Sequence, residues 1–279
     1  MAEFVGGFGV PHTPLLWHLM DREIPDDLVP IEAAFRRSRA QLEAARPDAL
    51  VMVASDHFHQ YHHGAMPALA VGKADRIRGT HDNEMRSFGL PRVEMPGHPG
   101  LAEAVLGREQ LSGGFDFTFS NAPVIDHAYV VPLLYLRPDM DIPVVPIHTN
   151  TNAPPLPPAQ RFVDLGHHIR TAIEEHPEPI RVAVIASGHM AYELGSPNQF
   201  SGRSTDPEFD AEAARWMAQT GLDAAVEACT FERLTAAGNL TFQFLNFLTL
   251  AAIANRPADE VAPVECRFGN EPFFTWQAT

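Results

Sequence analysis

At 279 residues with 45% apolar side chains, the chain is long enough for one large domain with its own core, or two small ones. A formal net charge of −15 and the absence of any Lys/Arg cluster argue against nucleic acid and anionic membrane surfaces as partners, and for a small molecule or another protein. Cys229 and Cys266 form no CxxC pair and read as reduced thiols of a cytoplasmic protein, the N-terminal segment lacks a secretory pattern, and no run reaches the ~18 apolar residues of a membrane span.

In chain order, residues 4–10 predict a short glycine-containing strand that stops at Pro11-His12-Thr13-Pro14. Helical spacing of Ile31, Ala34, Phe35, Ser38 and Leu42 predicts a helix over 28–46, closed by Pro47. The run 49–54 reads as a buried strand, followed by Ser55-Asp56-His57-Phe58-His59 and then His62 and His63; a second apolar run covers 66–71. Residues 73–95 are polar, carry Gly79, Gly89 and Pro91, and read as a long loop over the site. A helix is expected over 101–106, a strand over 115–120, a helix over 128–136 after Asp126-His127, and a buried strand over 142–147. A proline-rich bend at 153–158 leads into a helix over 159–175, and a core strand at 182–186 ends in Ser187-Gly188-His189-Met190-Ala191-Tyr192. A polar loop at 196–206 precedes a helix over 207–220 with Asp206 as cap. The most apolar helix, 240–253, carries Gln243 and Asn246 as unusual polar guests, and the tail 268–276 reads as aromatic and irregular.

Buried strands alternating with helices predict an α/β fold, a single domain over 1–279 with a mostly parallel mixed sheet flanked by helices. The active site is expected at the C-terminal ends of the strands. Histidines recur just after the predicted strands: His12, His57, His148 and His189, with His127 opening a helix. Imidazole suits iron, zinc, copper or nickel, and two histidines plus a carboxylate suit non-haem Fe(II). A single histidine at a strand end is usually structural; several at equivalent ends point to a shared site. His59, His62 and His63 either line that site or are solvated, while His81, His98, His167, His168 and His176 read as surface groups. Phe58, Phe242, Phe244 and Phe247 would suit an aromatic substrate pocket, but apolar spacing on a helix more often means core. No GxGxxG, GxxxxGK[ST], HExxH or GxSxG motif is present, so nucleotide binding and serine-hydrolase chemistry have no support.

Three motifs together resemble the class III extradiol ring-cleavage dioxygenases, a group that includes 2,3-dihydroxyphenylpropionate 1,2-dioxygenase and the catalytic subunit of protocatechuate 4,5-dioxygenase. They are Pro11-His12-Thr13-Pro14-Leu15, Ala54-Ser55-Asp56-His57 continuing to Met66-Pro67, and Asp126-His127 continuing to Val131-Pro132-Leu133. The resemblance implies that His12 and His57 bind Fe(II), or another divalent metal, and that His127 lies near the hydroxyls of a catechol-like substrate and O₂. It also implies a self-associating, cytoplasmic enzyme of aromatic catabolism. Two positions depart from the family pattern. Tyr192 stands where the family has its acid/base histidine, with His189 three residues before it, and Gln243 stands where the family has its carboxylate ligand. His59 and Phe58 are the expected substrate-binding neighbours. Glu193 is a replacement carboxylate only if the backbone turns it inward. The departures keep open two other readings: a hydrolase, lyase or isomerase on the same scaffold without O₂ activation, and a non-catalytic binding subunit.

Overall fold

The computed structural model describes residues 1–107, 114–196 and 199–277. The chain opens with β1 (Glu3–Val10), α1 (Pro14–Met20), α2 (Val29–Ala45) and β2 (Ala49–Ala54). Next come β3 (Leu69–Gly72), β4 (Arg76–Gly79), α3 (Asp82–Phe88), β5 (Val93–Pro96) and α4 (Pro99–Leu106). The middle holds β6 (Thr118–Ser120), β7 (Val124–Ile125), α5 (His127–Leu136), β8 (Val144–Thr149), α6 (Ala159–Glu175) and β9 (Arg181–Ser187). The last part comprises α7 (Pro207–Met217), α8 (Asp223–Ala228), α9 (Phe231–Ala237), α10 (Leu245–Ala254), β10 (Glu260–Val261), β11 (Val264–Cys266), β12 (Gly269–Glu271) and β13 (Phe274–Trp276).

Among the described residues the main sheet has eight strands in the order β10-β13-β1-β9-β2-β8-β3-β6. Its centre, β1-β9-β2-β8, is parallel, while β13 and β3 join it antiparallel. This is the mixed, mostly parallel α/β sheet the strand–helix alternation predicts. Strand side chains alternate between faces. Along β2, Ala49, Val51 and Val53 enter a core shared with Phe162 of α6 and Phe247 of α10, while Leu50, Met52 and Ala54 enter one shared with Phe35 of α2 and Leu133 of α5. Both faces are therefore covered by helices, which is why these strands read as unbroken apolar runs. Helix α10 sits close on the sheet because β1 carries glycine: a Cβ on Gly7 would lie 2.8 Å from Leu250 Cδ1.

Parallel register puts four strand ends side by side. Val10 pairs with Ser187, and Ala54 with His148. His12, His57 and His189 follow β1, β2 and β9, and β8 ends on His148 and Thr149.

Several expectations change. The segment 73–95 is not one loop but β4, α3 and β5, elements of four and seven residues in which Ile77 and Glu84 are fully buried. Elements this short are below the length at which a period shows in sequence. The strand at 115–120 is confined to Thr118–Ser120, and the apolar helix begins with a 3₁₀ turn, Thr241–Phe244, before α10. The tail is not irregular: β12 pairs with β11, and β13 with β1 and β10. Residues 197 and 198 of the polar loop lie outside the described residues. No single described helix is long and apolar enough to cross a membrane.

Candidate metal centre

His12, fully buried, leaves β1 through Pro11, and His57 leaves β2 through Ser55 and Asp56. His127 is the first residue of α5, whose next two residues bond to the same strand ends: Ala128 O accepts from the Ser187 hydroxyl and the Tyr129 hydroxyl donates to Ala54 O. The three rings meet: centroids lie 5.2 Å apart for His12–His57, 5.7 Å for His12–His127 and 4.2 Å for His57–His127. One ring nitrogen from each lies within 4.8 Å of the other two.

The hydrogen bonds behind the rings decide which nitrogen faces inward. The Ser187 hydroxyl donates to Ala128 O at 2.6 Å, so its oxygen accepts from His12 Nδ1 at 3.1 Å. Asp126 Oδ2 accepts from His57 Nδ1 at 3.1 Å and from the His57 amide at 2.7 Å. Glu84 Oε1 accepts from His127 Nδ1 at 2.6 Å and from the His127 amide at 2.9 Å. Each proton therefore sits on Nδ1, and each Nε2 keeps its lone pair. Such outer partners fix the tautomer and aim of metal-binding histidines. His12 Nε2 is buried with no hydrogen-bond partner among the described residues.

The electrostatics favour neutral rings beside ionised carboxylates. Burial, then the neighbouring His189, His57 and His127, holds His12 well below the ordinary histidine value, and burial followed by His57 lowers His127. Burial alone would push the Asp126 carboxyl up, but the bond from His57 and the His59 ring 3.7 Å away hold it well below the usual carboxylate range; Glu84 is likewise lowered, against burial, by His127. Imidazoles that turn Nε2 inward and are held from behind at Nδ1, two of them by buried carboxylates, form a donor set that fits a divalent cation.

Gln243 reaches this centre from the 3₁₀ turn. Its backbone seats on Gly188, where a Cβ would meet Gln243 O at 2.4 Å. Gln243 Nε2 donates to His57 Nε2 at 3.0 Å and to Asn152 Oδ1 at 3.3 Å, and Oε1 is buried with no hydrogen-bond partner among the described residues. The metal-facing lone pair of His57 is thus occupied by an amide hydrogen, and the amide must turn over for Oε1 to face a cation. One turn later, Asn246 donates to Ser187 O at 2.9 Å and Ser55 Oγ at 3.2 Å and accepts from Thr149 Oγ1 at 2.6 Å. Asn246 ties together the ends of β9, β2 and β8.

The other expected residues fall around this core. His189 lies 4.6 Å from His12, ring to ring, and burial pushes it down to about 3. Tyr192 stacks on the far side of His189 at 4.6 Å, so it stands one ring further out; its hydroxyl meets Gln199 Nε2 at 3.5 Å, and burial pushes it up to about 12. His59 lies 6.4 Å from His127, with Nε2 against Asn83 Nδ2 at 2.9 Å. Phe58, 39% exposed, stacks on His63 and adopts φ 62°, a left-handed conformation rare for a bulky residue and placed directly after His57. Glu193 does not turn inward: it accepts from the Asn239 amide at 2.7 Å. His148 is buried and accepts from the Asp56 amide at 3.1 Å.

Sequence reading missed Glu84, Ser187 and Glu271. Glu84 sat in the expected loop; its signal was the His81-Asp82-Asn83-Glu84 spacing, in which Glu84 accepts from the His81 amide at 3.2 Å, as in a helix-opening box. Glu271, in β12, accepts from Thr13 Oγ1 at 2.9 Å, and burial pushes it up to about 8.

Comparison with known proteins gives the family. A family model described as the catalytic LigB subunit of aromatic ring-opening dioxygenase matches residues 6–258. A 2,3-dihydroxyphenylpropionate/2,3-dihydroxicinnamic acid 1,2-dioxygenase of Rhodococcus jostii (strain RHA1) is 29% identical over 198 residues, covering 70% of this chain and 58% of that protein. A Pseudomonas putida counterpart is 30% identical over 159 residues, covering 57% of this chain and 48% of that protein. The chain spans about half the length of the curated relatives it matches. The crystal structure of an uncharacterized protein from Escherichia coli K12 shares the fold, with a TM-score of 0.61 at 16% identity over 97% of this chain and 99% of that one. On the family match over most of its length, this chain belongs to the family of the catalytic LigB subunit of aromatic ring-opening dioxygenases.

Proposed function

We propose that this protein is a non-haem Fe(II)-dependent extradiol dioxygenase, opening a catechol-like or hydroxylated heteroaromatic ring with O₂. The single observation that carries the reading is the meeting of one ring nitrogen from each of His12, His57 and His127 within 4.8 Å of the others at the strand ends. In this reading His12 and His57 hold the cation through Nε2, and the Gln243 carbonyl oxygen or a water completes the set. Bound iron supplies a Lewis acid that exchanges electrons with dioxygen.

The chain's own residues then manage protons and shape. His127, neutral because it is buried, has its Nε2 free to take a hydroxyl proton from the substrate, and Glu84 at Nδ1 stabilises the imidazolium that results. Asp126 keeps the His57 ring oriented while capping α5 through the Ala128 amide at 3.0 Å. His189 is the next imidazole inward from Tyr192 and is the nearer proton donor or acceptor to His12.

The test is anaerobic reconstitution with Fe(II), followed by oxygen uptake on a panel of catechols. Expected are one O₂ consumed per ring and a coloured ring-opened product; iron bound tightly with no uptake on any diol would remove the oxygenase reading. The Gln243 amide favours one second reading, an enzyme of the same scaffold without O₂ activation, because a neutral amide replaces the carboxylate and donates to His57. Metal-dependent turnover of an oxygenated substrate under argon would favour it.

A further inference from the structure

We propose that His98, His176 and Glu178 form a second divalent-metal site, of the zinc, cobalt or nickel class, at the end of the sheet opposite the catalytic centre. His98 precedes Pro99 and caps α4; His176 ends α6, just before Pro177 and Glu178, on the approach to β9. One donor atom from each lies within 4.8 Å of the others. Both imidazoles stand 3.8 Å from Glu178 Oε2 through Nε2, with ring centroids 5.6 Å apart. His176 is 4% exposed, and its Nε2 has no hydrogen-bond partner among the described residues. A buried polar atom left bare calls for an explanation, and a cation between these three groups supplies one.

The backbone holds the two rings in place. A following proline confines each histidine to extended conformations, and the His176 carbonyl accepts from the Ala2 amide at 3.0 Å, fixing it to the start of β1. Glu178 is 59% exposed on its side chain, so it can close the remaining distance and leave an entry path from solvent. Two imidazoles and one carboxylate are a usual zinc donor set, with water in the fourth position. Ligation has one local consequence. His98 Nδ1 now accepts from the Leu101 amide at 3.1 Å, so the neutral ring carries its proton on Nε2. On metal binding through Nε2 that proton leaves to solvent, Nδ1 takes one up, and the Leu101 amide exchanges this cap for water. The bound ion would fasten α4, α6 and the start of β1 together.

The experiment titrates chelator-stripped protein with Zn(II) by calorimetry and with Co(II) by visible absorption. The wild type is expected to take two equivalents and His12→Ala one. Adding His176→Gln to His12→Ala removes the remaining equivalent, and adding the exposed change Glu178→Gln weakens it at least tenfold. In the wild type, Zn(II) is also expected to speed hydrogen exchange at the Leu101 amide, a readout that needs no variant to fold. No second equivalent in the wild type, an unchanged equivalent after both substitutions, or a Leu101 amide indifferent to Zn(II) would overturn the site. The catalytic reading is tested separately by oxygen uptake, which Glu178→Gln leaves as it was.

Discussion

At the C-terminal ends of β1, β2 and β9, each imidazole is held from behind by a buried acceptor: Ser187 for His12, Asp126 for His57, Glu84 for His127. At the N-terminal end of β9, His98 is held by a backbone amide, and Nε2 of His176 has no hydrogen-bond partner among the described residues. The same residue type is thus held by buried side-chain acceptors in one region, the rigid cluster, and by the backbone alone in the other. The difference lies in the groups behind the rings, which fix the tautomer and aim of metal-binding histidines and raise their basicity.

The largest expected effect removes a ring from the rigid cluster. His12→Ala should abolish catalytic metal binding and ring cleavage below detection, measured by metal content and oxygen uptake, while the fold, read by circular dichroism, stays intact. Asp126→Asn and Glu84→Gln keep all three rings but loosen them; each should lower iron affinity or turnover by roughly 10- to 100-fold. If both behave as wild type, the contrast between the two regions fails.

Gln243→Glu probes the amide that reaches the rigid cluster. A carboxylate facing His57 and the cation should tighten Fe(II) binding by roughly tenfold and keep or raise turnover, read by competition with a chelator. Loss of iron in that variant would mean that Gln243 serves only as a hydrogen-bond donor.

Acid should strike the metal-free protein through the buried rings. Burial pushes His148 down to about 4 and His189 to about 3, both below the ~6.5 of an unfolded histidine. In that window the unfolded chain binds more protons, so their stabilisation is complete above pH 6.5 and is lost as pH falls toward the folded values. Each such ring should lower unfolding free energy by about 2 kcal/mol between pH 7 and pH 5. Denaturant melts at the two pH values, compared with His148→Gln, would show whether that ring accounts for its share.

A good part of the fold was legible because burial on both sheet faces leaves a mark on local sequence. The runs 49–54 and 182–186 are apolar at every position, and the helices 28–46 and 159–175 carry a period wide enough to read. His12, His57 and His127 stood out because each follows a strand or opens a helix. Short elements left no such mark, so β4, α3 and β5 were missed and Glu84 with them. His176 was read as a surface group because its charge type says exposed, yet the packing of α6 against α4 and the start of β1 buries it.

By itself, then, the sequence determined the α/β class, the long buried strands and long helices, and which imidazoles stand at the strand ends. Tertiary structure alone decided what lies behind those rings: the partners come from 43 residues away for Glu84–His127, 69 for Asp126–His57 and 175 for Ser187–His12. It also decided that His189, rather than Tyr192, lies against His12, and that Gln243 offers an amide hydrogen to His57. The physical reason is range. Burial and period act between neighbours in the chain, whereas a hydrogen-bond partner is selected only when parallel strands bring distant ends into register.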